Sequence, residues 1–496
     1  RLHDGRSVFN DKEFKILKRY FYFKKKILNN NELNNIKNEL FMKPFVPVKT
    51  KDDPNPFPAY RENDNKIYIP RFYGIKKYGL PDKSEIAEGE NISVNFVKEL
   101  RDYQKKIINV YTDYVNTPIV NNSNINGNGA ILEVFTGRGK TVMALDIISK
   151  ISKKTLIIVH KEFLMNQWIE RINEFLPSAN IGKIQASVCD VKDKDIVIGM
   201  LQTLHSKTFE DDVFSQFGLT IIDEVHRIGS EQFSRALFKC ITPYMLGISA
   251  TVERKDKLTD ILYMFIGDRI YKDNERETDK VVVRSINYTS PDIEFNNVEY
   301  DFRGNPKYST MISKLCNFGR RSSFIIQIIK DLLNENENKQ IMLLAHNRNL
   351  LKYIHDSLQD TISIGYYVGG MKEKDLKETE TKSVVLATYA MAAEALDIKT
   401  LSTLVMATPK TDITQSIGRI LRVKGNNPLV IDIIDPHEPF QKQWLQRKRY
   451  YKKNDYIIYN SDFDNYINMT DTQWNISFDP ANKTQKKTKP KCLIQL

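Results

Sequence analysis

At 496 residues, with 41% hydrophobic and 27% charged side chains, the chain is about three domains' worth of length at roughly 150 residues each, and too apolar to be disordered. No apolar run approaches the roughly 20 residues that span a bilayer, and no charged-then-apolar leader opens the chain, so an integral membrane protein is not expected. The four cysteines lack paired spacing, which argues against a zinc module or a disulfide scaffold, while 74 Lys and Arg against 62 Asp and Glu leave +12, favouring a polyanionic partner or simply a solvated Lys-rich surface.

Residues 1–94 read as an N-terminal accessory region. Glu13 to Leu40 is rich in Lys and Asn with apolar residues at helical spacing. Pro44, Pro47, Pro54, Pro56, Pro58 and Pro70 then punctuate an irregular stretch. From about Phe96, short apolar runs alternate with helical patterns: Leu156–Val159, Ile196–Ile198, Leu219–Ile222, Ile341–Leu344, Val384–Leu386 and Leu404–Met406. Such runs, separated by helix-length segments, predict buried parallel strands in α/β units. The expected fold class is therefore α/β, with two tandem domains at 95–289 and 290–450, each a parallel sheet flanked by helices. Their seam is placed where the pattern thins, around Pro291, Gly304 and Pro306. A C-terminal extension, 451–496, ends in the basic stretch Lys483 to Lys491, a disordered end or a binding arm.

The chemistry concentrates in three elements. The apolar Ala130 to Phe135 runs into Thr136-Gly137-Arg138-Gly139-Lys140-Thr141 and then a predicted helix near Val142. Glycines let backbone N–H groups turn toward a phosphate, and a helix N-terminus adds a favourable field. Lys140 is expected to reach the β- and γ-phosphates of ATP, and the Thr141 hydroxyl to ligate Mg²⁺. Val134 stands where the full phosphate-loop pattern has Gly, so this element alone is an incomplete match. Some 80 residues on, Ile221-Ile222-Asp223-Glu224-Val225-His226 ends an apolar strand in paired carboxylates. Asp223 is assigned to Mg²⁺, and Glu224 to accepting a proton from the attacking water. In Gln415-Ser416-Ile417-Gly418-Arg419-Ile420-Leu421-Arg422, two arginines three apart share one face of a predicted helix. They are either surface charges or fingers that stabilise the transferring γ-phosphoryl, in which case hydrolysis requires the two domains to close.

These elements, in this order, resemble superfamily 2 helicases, and the resemblance covers about residues 96–440. Leu100-Arg101-Asp102-Tyr103-Gln104 is similar to the adenine-reading motif, with Gln104 on the base edge. Val159-His160-Lys161 with Gln167-Trp168, and Gly199 to Leu204, resemble the first strand-contacting motifs. Ser249-Ala250-Thr251 resembles the coupling motif. Ala387-Thr388 through Glu394, Ala395 and Asp397 resembles the fifth motif, with Ala395 where many relatives have Gly. Two RecA-like domains are implied, with Thr136, Gly137, Arg138, Gly139, His226 and Gln415 around the nucleotide. His160, Lys161, Gln202, Thr203, His346, Asn347, Thr388 and Tyr389 are the implied nucleic-acid contacts. Trp168 reads as a packed core anchor rather than a base-stacking residue.

Asp-Glu-Val-His and Ser-Ala-Thr-Val-Glu-Arg-Lys-Asp resemble the branch containing the xeroderma pigmentosum group B translocase, UvsW and the poxvirus transcript-release helicase. Leu40 to Pro44 and Tyr68 to Gly74 are similar to the matching region of helicases from large cytoplasmic DNA viruses. The resemblance implies 3′-to-5′ movement on DNA in transcript release or repair. It also implies RNA polymerase or transcription machinery as a partner, and a place in the viral factory of the cytoplasm or in the virion. An ATP-switched clamp that remodels a polymerase without processive unwinding, and an RNA helicase, stand as alternatives.

Overall fold

The computed structural model describes residues 15–17, 20–45, 55–81, 83–84, 86–117, 127–135, 137–210, 212–225, 231–254, 256–273, 281–394, 398, 400–421 and 428–482. The chain divides into two units at Asn274 and Glu275.

The first unit is built on an eight-stranded sheet in the order Val188–Cys189, Ile181–Gln185, Ile196–Met200, Thr155–Val159, Leu219–Asp223, Tyr244–Ser249, Gly129–Glu133 and Arg269–Lys272. All its neighbours are parallel except at the 188–189 edge. Helices cover both faces, so the central strands meet water on neither side and read as unbroken apolar runs. Leu156, Ile157, Ile158 and Val159 are all fully buried. Helices such as Glu162–Phe175 bury one stripe, here Leu164, Met165, Trp168 and Ile172.

In the second unit another eight-stranded sheet runs Ile364–Tyr367, Val384–Thr388, Gln340–Ala345, Leu401–Met406, Leu429–Ile434, Val282–Asn287, Ile457–Asp462 and Asn475–Phe478. It is parallel throughout except for the last pair. Every apolar run singled out in the sequence is a strand of one of these sheets.

Three expectations about organisation need correcting. The strand Val282–Asn287, placed by its sequence position in the first domain, pairs with Leu429–Ile434 in the second sheet. Residues after 450 are not merely an extension, because Ile457–Asp462 and Asn475–Phe478 complete that sheet. Asn475–Phe478 is the edge strand and Ile457–Asp462 lies next to it, and both are only partly buried, so they carry no continuous apolar run. Finally, Glu13 to Leu40 is not one helical stretch. It holds the strands Lys15–Leu17 and Tyr20–Lys24 before the helix Asn30–Glu39, which Asn29 and Glu32 start with a reciprocal capping box. The aromatic run Tyr20 to Phe23 suits a pleated surface better than a helix.

That N-terminal sheet is part of the first unit's interior. Phe21, Phe23, Ile67 and Ile69 share one core with Ile131, Phe233, Ile261 and Phe265. Pro70 leads into the helix Arg71–Tyr78. The buried Arg71 guanidinium donates to the carbonyls of Thr242, Pro243 and Gly127 at 3.0, 3.0 and 3.2 Å. At Gly74 a Cβ would fall 2.6 Å from the Phe21 ring. Tyr68 to Gly74 is thus a packing device that locks the N-terminal segment to the sheet.

Two buried ion pairs brace the second unit. Arg321 grips Asp435 with Nε and Nη2 at 2.6 and 2.9 Å, both side chains wholly buried. Arg447 grips Asp432 at 2.8 and 2.9 Å, and the Tyr451 hydroxyl donates to the same carboxylate. Removing one member strands the other charge in a dry interior. Arg321→Ala is therefore expected to destabilise the unit by about 3–5 kcal/mol, read as a lowered denaturant midpoint; a midpoint equal to wild type would show that the pair is dispensable.

Candidate nucleotide site and nucleic-acid interface

Parallel sheets gather loops at the carboxyl ends of their strands, and ligands bind there. In the first unit, the adjacent strands Leu219–Asp223, Tyr244–Ser249 and Gly129–Glu133 bring together the paired carboxylates, the Ser-Ala-Thr segment and the glycine loop. Their register sets Asp223 opposite Ile248, and Ser249 opposite Glu133.

The glycine loop turns as its residues require. Gly137 and Gly139 have φ of +88° and +78°, the left-handed region that suits glycine, and the helix Lys140–Ile151 starts directly after. Arg138 is anchored rather than loose. Its guanidinium meets Asp273 at 3.3 Å and lies over the Tyr103 ring at 4.2 Å. Asp273 also accepts from the Phe135 amide and the Tyr271 hydroxyl, so one buried carboxylate ties both sides of the loop.

Gln104 is buried behind the loop. Its Nε2 donates to the Arg138 carbonyl at 3.1 Å, and its Oε1 accepts from the Arg101 amide at 2.9 Å. A Cβ on Gly139 would sit 2.5 Å from that Nε2. Gln104, expected on the base edge, has both ends of its amide engaged, Nε2 with the loop and Oε1 with Arg101. Thr136 and His226 lie outside the described residues.

At the site's centre, Lys140 Nζ lies 3.0 Å from Glu224 Oε1. Ser249 Oγ donates to the Thr251 carbonyl at 2.7 Å and lies 3.4 Å from Glu224 Oε2, which places the coupling segment beside the expected base. Glu224 itself has φ +50°, a conformation costly for a side chain with a Cβ, and such strain clusters at functional sites. Asp223 is buried, and its Oδ2 accepts from the Trp168 indole N–H at 3.0 Å. Burial, and next the charge of Glu224, push the Asp223 carboxyl up to about 6; Lys140 and the indole N–H pull the other way. A second positive charge beside this pair would relieve that cost. The donor set, the carboxylate of Asp223 with the Thr141 hydroxyl at the helix start, is all oxygen, which suits a hard cation such as Mg²⁺.

The arginine segment differs from its expected form. The helix Thr414–Ile417, which contains Gln415, stops before Gly418, so Arg419 sits in a turn and not on a regular helical face. Gly418 and the following turns end the ladder that the spacing presumed. Arg419 Nε donates to the Ala392 carbonyl at 2.8 Å, on the fifth-motif segment. Arg422 and Ala395 lie outside the described residues, as do Asp397 and the side chain of Glu394. The chain leading into this segment is pinned at four successive carbonyls. Ala407 is held by Arg321, Thr408 by the Tyr389 hydroxyl, Pro409 by the Tyr308 hydroxyl, and Lys410 by Arg447.

The expected nucleic-acid contacts sort into two groups. Gln202, in the helix Leu201–Ser206, donates its Nε2 to the His160 carbonyl at 2.9 Å, which ties that helix to the His160–Lys161 segment, while the His160 ring nitrogens are buried. Thr388 ends its strand half-buried, opposite Ala345. His346 is held by Thr408, its Nδ1 2.8 Å from the hydroxyl; burial, and next the charge of Lys410, push its imidazole down to about 4, so it is neutral at pH 7.

Other contacts are turned inward. Thr203 is buried with its hydroxyl accepting from the Ala186 amide. Tyr389 is buried with its hydroxyl on Thr408. Both hydroxyls are engaged with the protein, Thr203 as acceptor and Tyr389 as donor. Asn347 caps the helix Arg348–Leu358 through its side chain. Trp168 is the core anchor expected of it, but its bond to Asp223 joins positions far apart in sequence, and no local pattern signals it. No described helix is long and apolar enough to cross a membrane.

Comparison with known proteins agrees with this geometry. The family description "Type III restriction enzyme, res subunit" matches residues 97–254, and "Helicase conserved C-terminal domain" matches residues 325–424. A provisionally named ATP-dependent RNA helicase of Acanthamoeba polyphaga mimivirus is 33% identical over 469 residues, spanning 90% of this chain and 87% of that protein. The DNA 3′-5′ translocase XPB2 of Sulfurisphaera tokodaii is 29% identical over 214 residues, 42% of this chain and 44% of its own. Among solved structures, S. cerevisiae Dbp5 bound to RNA and ADP BeF3 covers 73% of this chain and 90% of its own, with a TM-score of 0.50 and 11% identity, a likeness of fold.

Proposed function

Because the chain belongs to the superfamily 2 helicases, in the viral part of the branch that holds the xeroderma pigmentosum group B translocase and UvsW, we propose that it is an ATP-hydrolysing motor that moves 3′-to-5′ along DNA. The observation that carries the reading is the contact of Lys140 with Glu224 beside Asp223, with Ser249 joining Glu224 to the coupling segment. A phosphate-binding cation, a base and a metal-ligating carboxylate at the end of a glycine loop are the parts that phosphoryl transfer to water needs.

The steps follow from these side chains. Amides of the glycine loop and Lys140 bind the phosphates. Thr141 and Asp223 would hold Mg²⁺, which neutralises phosphate charge and orients the γ-phosphoryl. Phosphates draw Lys140 away from Glu224, which frees that carboxylate to take a proton from the attacking water. Arg419 and Arg422 are assigned the stabilisation of charge on the transferring phosphoryl. Backbone contacts to an unstacked strand are assigned to His160, Lys161 and Gln202 in the first unit and to His346, Asn347 and Thr388 in the second, because a motor must ignore sequence.

The name of the archaeal relative supports DNA as the track. A second reading, an RNA motor, is supported by the name of the viral relative that matches along nearly the whole chain. The setting proposed is transcript release or repair in a large cytoplasmic DNA virus, with RNA polymerase as the candidate partner. ATPase rates measured in parallel with single-stranded DNA, duplex DNA and RNA test the reading: stimulation by DNA alone supports it, and stimulation by RNA alone selects the second. Backbone tracking also predicts that affinity for a single strand falls roughly 300-fold between 50 and 200 mM salt, if about six phosphates are neutralised. Salt-insensitive, sequence-selective binding in a fluorescence-anisotropy titration would contradict a motor.

A further inference from the structure

The strand-contacting loop and the metal-ligating carboxylate of the first unit are joined by one helix. His160 and Lys161 immediately precede the helix Glu162–Phe175, for which Lys161 is the N-cap. Trp168 lies seven residues beyond Lys161, about 10 Å along the axis at 1.5 Å per residue. It is 2% exposed, and its indole N–H donates to Asp223 Oδ2 at 3.0 Å. At the other end, the His160 carbonyl accepts from Gln202, so the helix Leu201–Ser206 is fastened to the His160–Lys161 segment as well. Around the indole, Leu164, Met165, Ile172, Ile157 and Val159 form one close-packed core. Such a core is stiff and transmits displacement rather than absorbing it.

We propose that Trp168 is a positioning residue that couples the His160–Lys161 segment to Asp223, so that a strand held at the first raises hydrolysis through the second. The inference rests on the motor reading above. Several polar side chains could support the carboxylate of Asp223, but an indole is the one that also fills an apolar core. Its ring is gripped by the helix while its single donor aims at Oδ2. A shift of the helix on strand binding would carry that donor with it and turn the Asp223 carboxylate toward its working position. Partners of this kind, which orient a ligating carboxylate without touching the metal, typically change metal affinity or activity 10–100-fold when removed.

Two variants separate the hydrogen bond from the packing. Trp168→Phe removes the donor and keeps an aromatic ring. Replacing residue 168 with the benzothiophene analogue of tryptophan swaps only N–H for sulfur and keeps the bicyclic shape. The first readout is independent of turnover: the Mg²⁺ concentration that half-saturates binding of a fluorescent ADP, expected to rise about tenfold in both variants. The second is the ratio of ATPase rates with and without saturating single-stranded DNA, expected to fall about tenfold while KM for ATP at saturating Mg²⁺ stays near wild type.

Wild-type values of both readouts in the benzothiophene variant would overturn the proposal. They would leave Trp168 a packing residue, whatever Trp168→Phe does to the melting temperature. If the wild-type chain hydrolysed ATP with no response to DNA or RNA, the motor reading and the coupling would both fall. A responsive wild type with unaltered variants overturns the coupling alone.

Discussion

Glu224→Gln is expected to bind Mg²⁺–ATP at least as tightly as the wild-type chain and to hydrolyse it about 10³-fold more slowly. Both halves of that expectation follow from the geometry. Lys140 lies 3.0 Å from Glu224, so the carboxylate competes with phosphate for the same ammonium. An amide of equal size competes less and does not repel the phosphates. Asp223 and Thr141, the groups assigned to the metal, are untouched. What is lost is the only proposed acceptor for the proton of the attacking water, and Ser249 cannot replace it with a neutral hydroxyl. A 10³-fold loss is about 4 kcal/mol at the barrier, far above the 0–1 kcal/mol of an exposed ion pair. The variant should therefore accumulate bound to ATP and strand together. Equilibrium binding of a fluorescent ATP analogue and single-turnover hydrolysis check the two halves. Near-normal turnover would mean that another group takes the proton. Weakened binding would mean that Glu224 shapes the phosphate site rather than serving as the base.

How much of this was readable before the structure depends on the range of each interaction. Buried parallel strands are apolar on both faces, so Leu156–Val159 or Ile341–Leu344 announces itself without reference to any neighbour. The glycine loop and the paired carboxylates are equally local, since a few consecutive residues carry both the turn and the chemistry. Edge strands such as Asn475–Phe478 lack that signal because one side faces water. The arginine spacing suggested a helix that Gly418 and the turns after it do not continue. Side-chain direction is what the motifs leave open in the strand-contact list. Thr203 was expected at the strand, and its hydroxyl accepts from the Ala186 amide. Tyr389 likewise faces Thr408. The bond from Trp168 to Asp223 spans 55 residues, and its partner depends on sheet order rather than on sequence distance.

Arg419→Ala is expected to leave ATP affinity nearly intact while lowering strand-stimulated turnover about 10³-fold, the low end for arginine fingers. Its donated Nε bond to Ala392 fixes one edge of the guanidinium against the fifth-motif segment. The chain upstream is held carbonyl by carbonyl from Ala407 to Lys410. So much bracing ahead of one side chain suits a group whose position matters to within a fraction of an ångström, and a surface charge has no such need. The effect on ATP binding should be small because the proposed role begins only as charge builds on the transferring phosphoryl. Lys140→Ala should contrast with it, weakening binding and turnover together, since Lys140 is proposed to hold the phosphates in the ground state as well. Arg419→Lys keeps the charge but loses the planar fork, so it should recover only part of the rate. If the loss in Arg419→Ala came merely from the broken bond to Ala392, the melting temperature would fall with the rate, and added guanidinium ion would restore neither. If turnover under strand stimulation were normal, Arg419 would be a structural tie of the second unit, and the positive charge needed at the γ-phosphoryl would have to come from elsewhere.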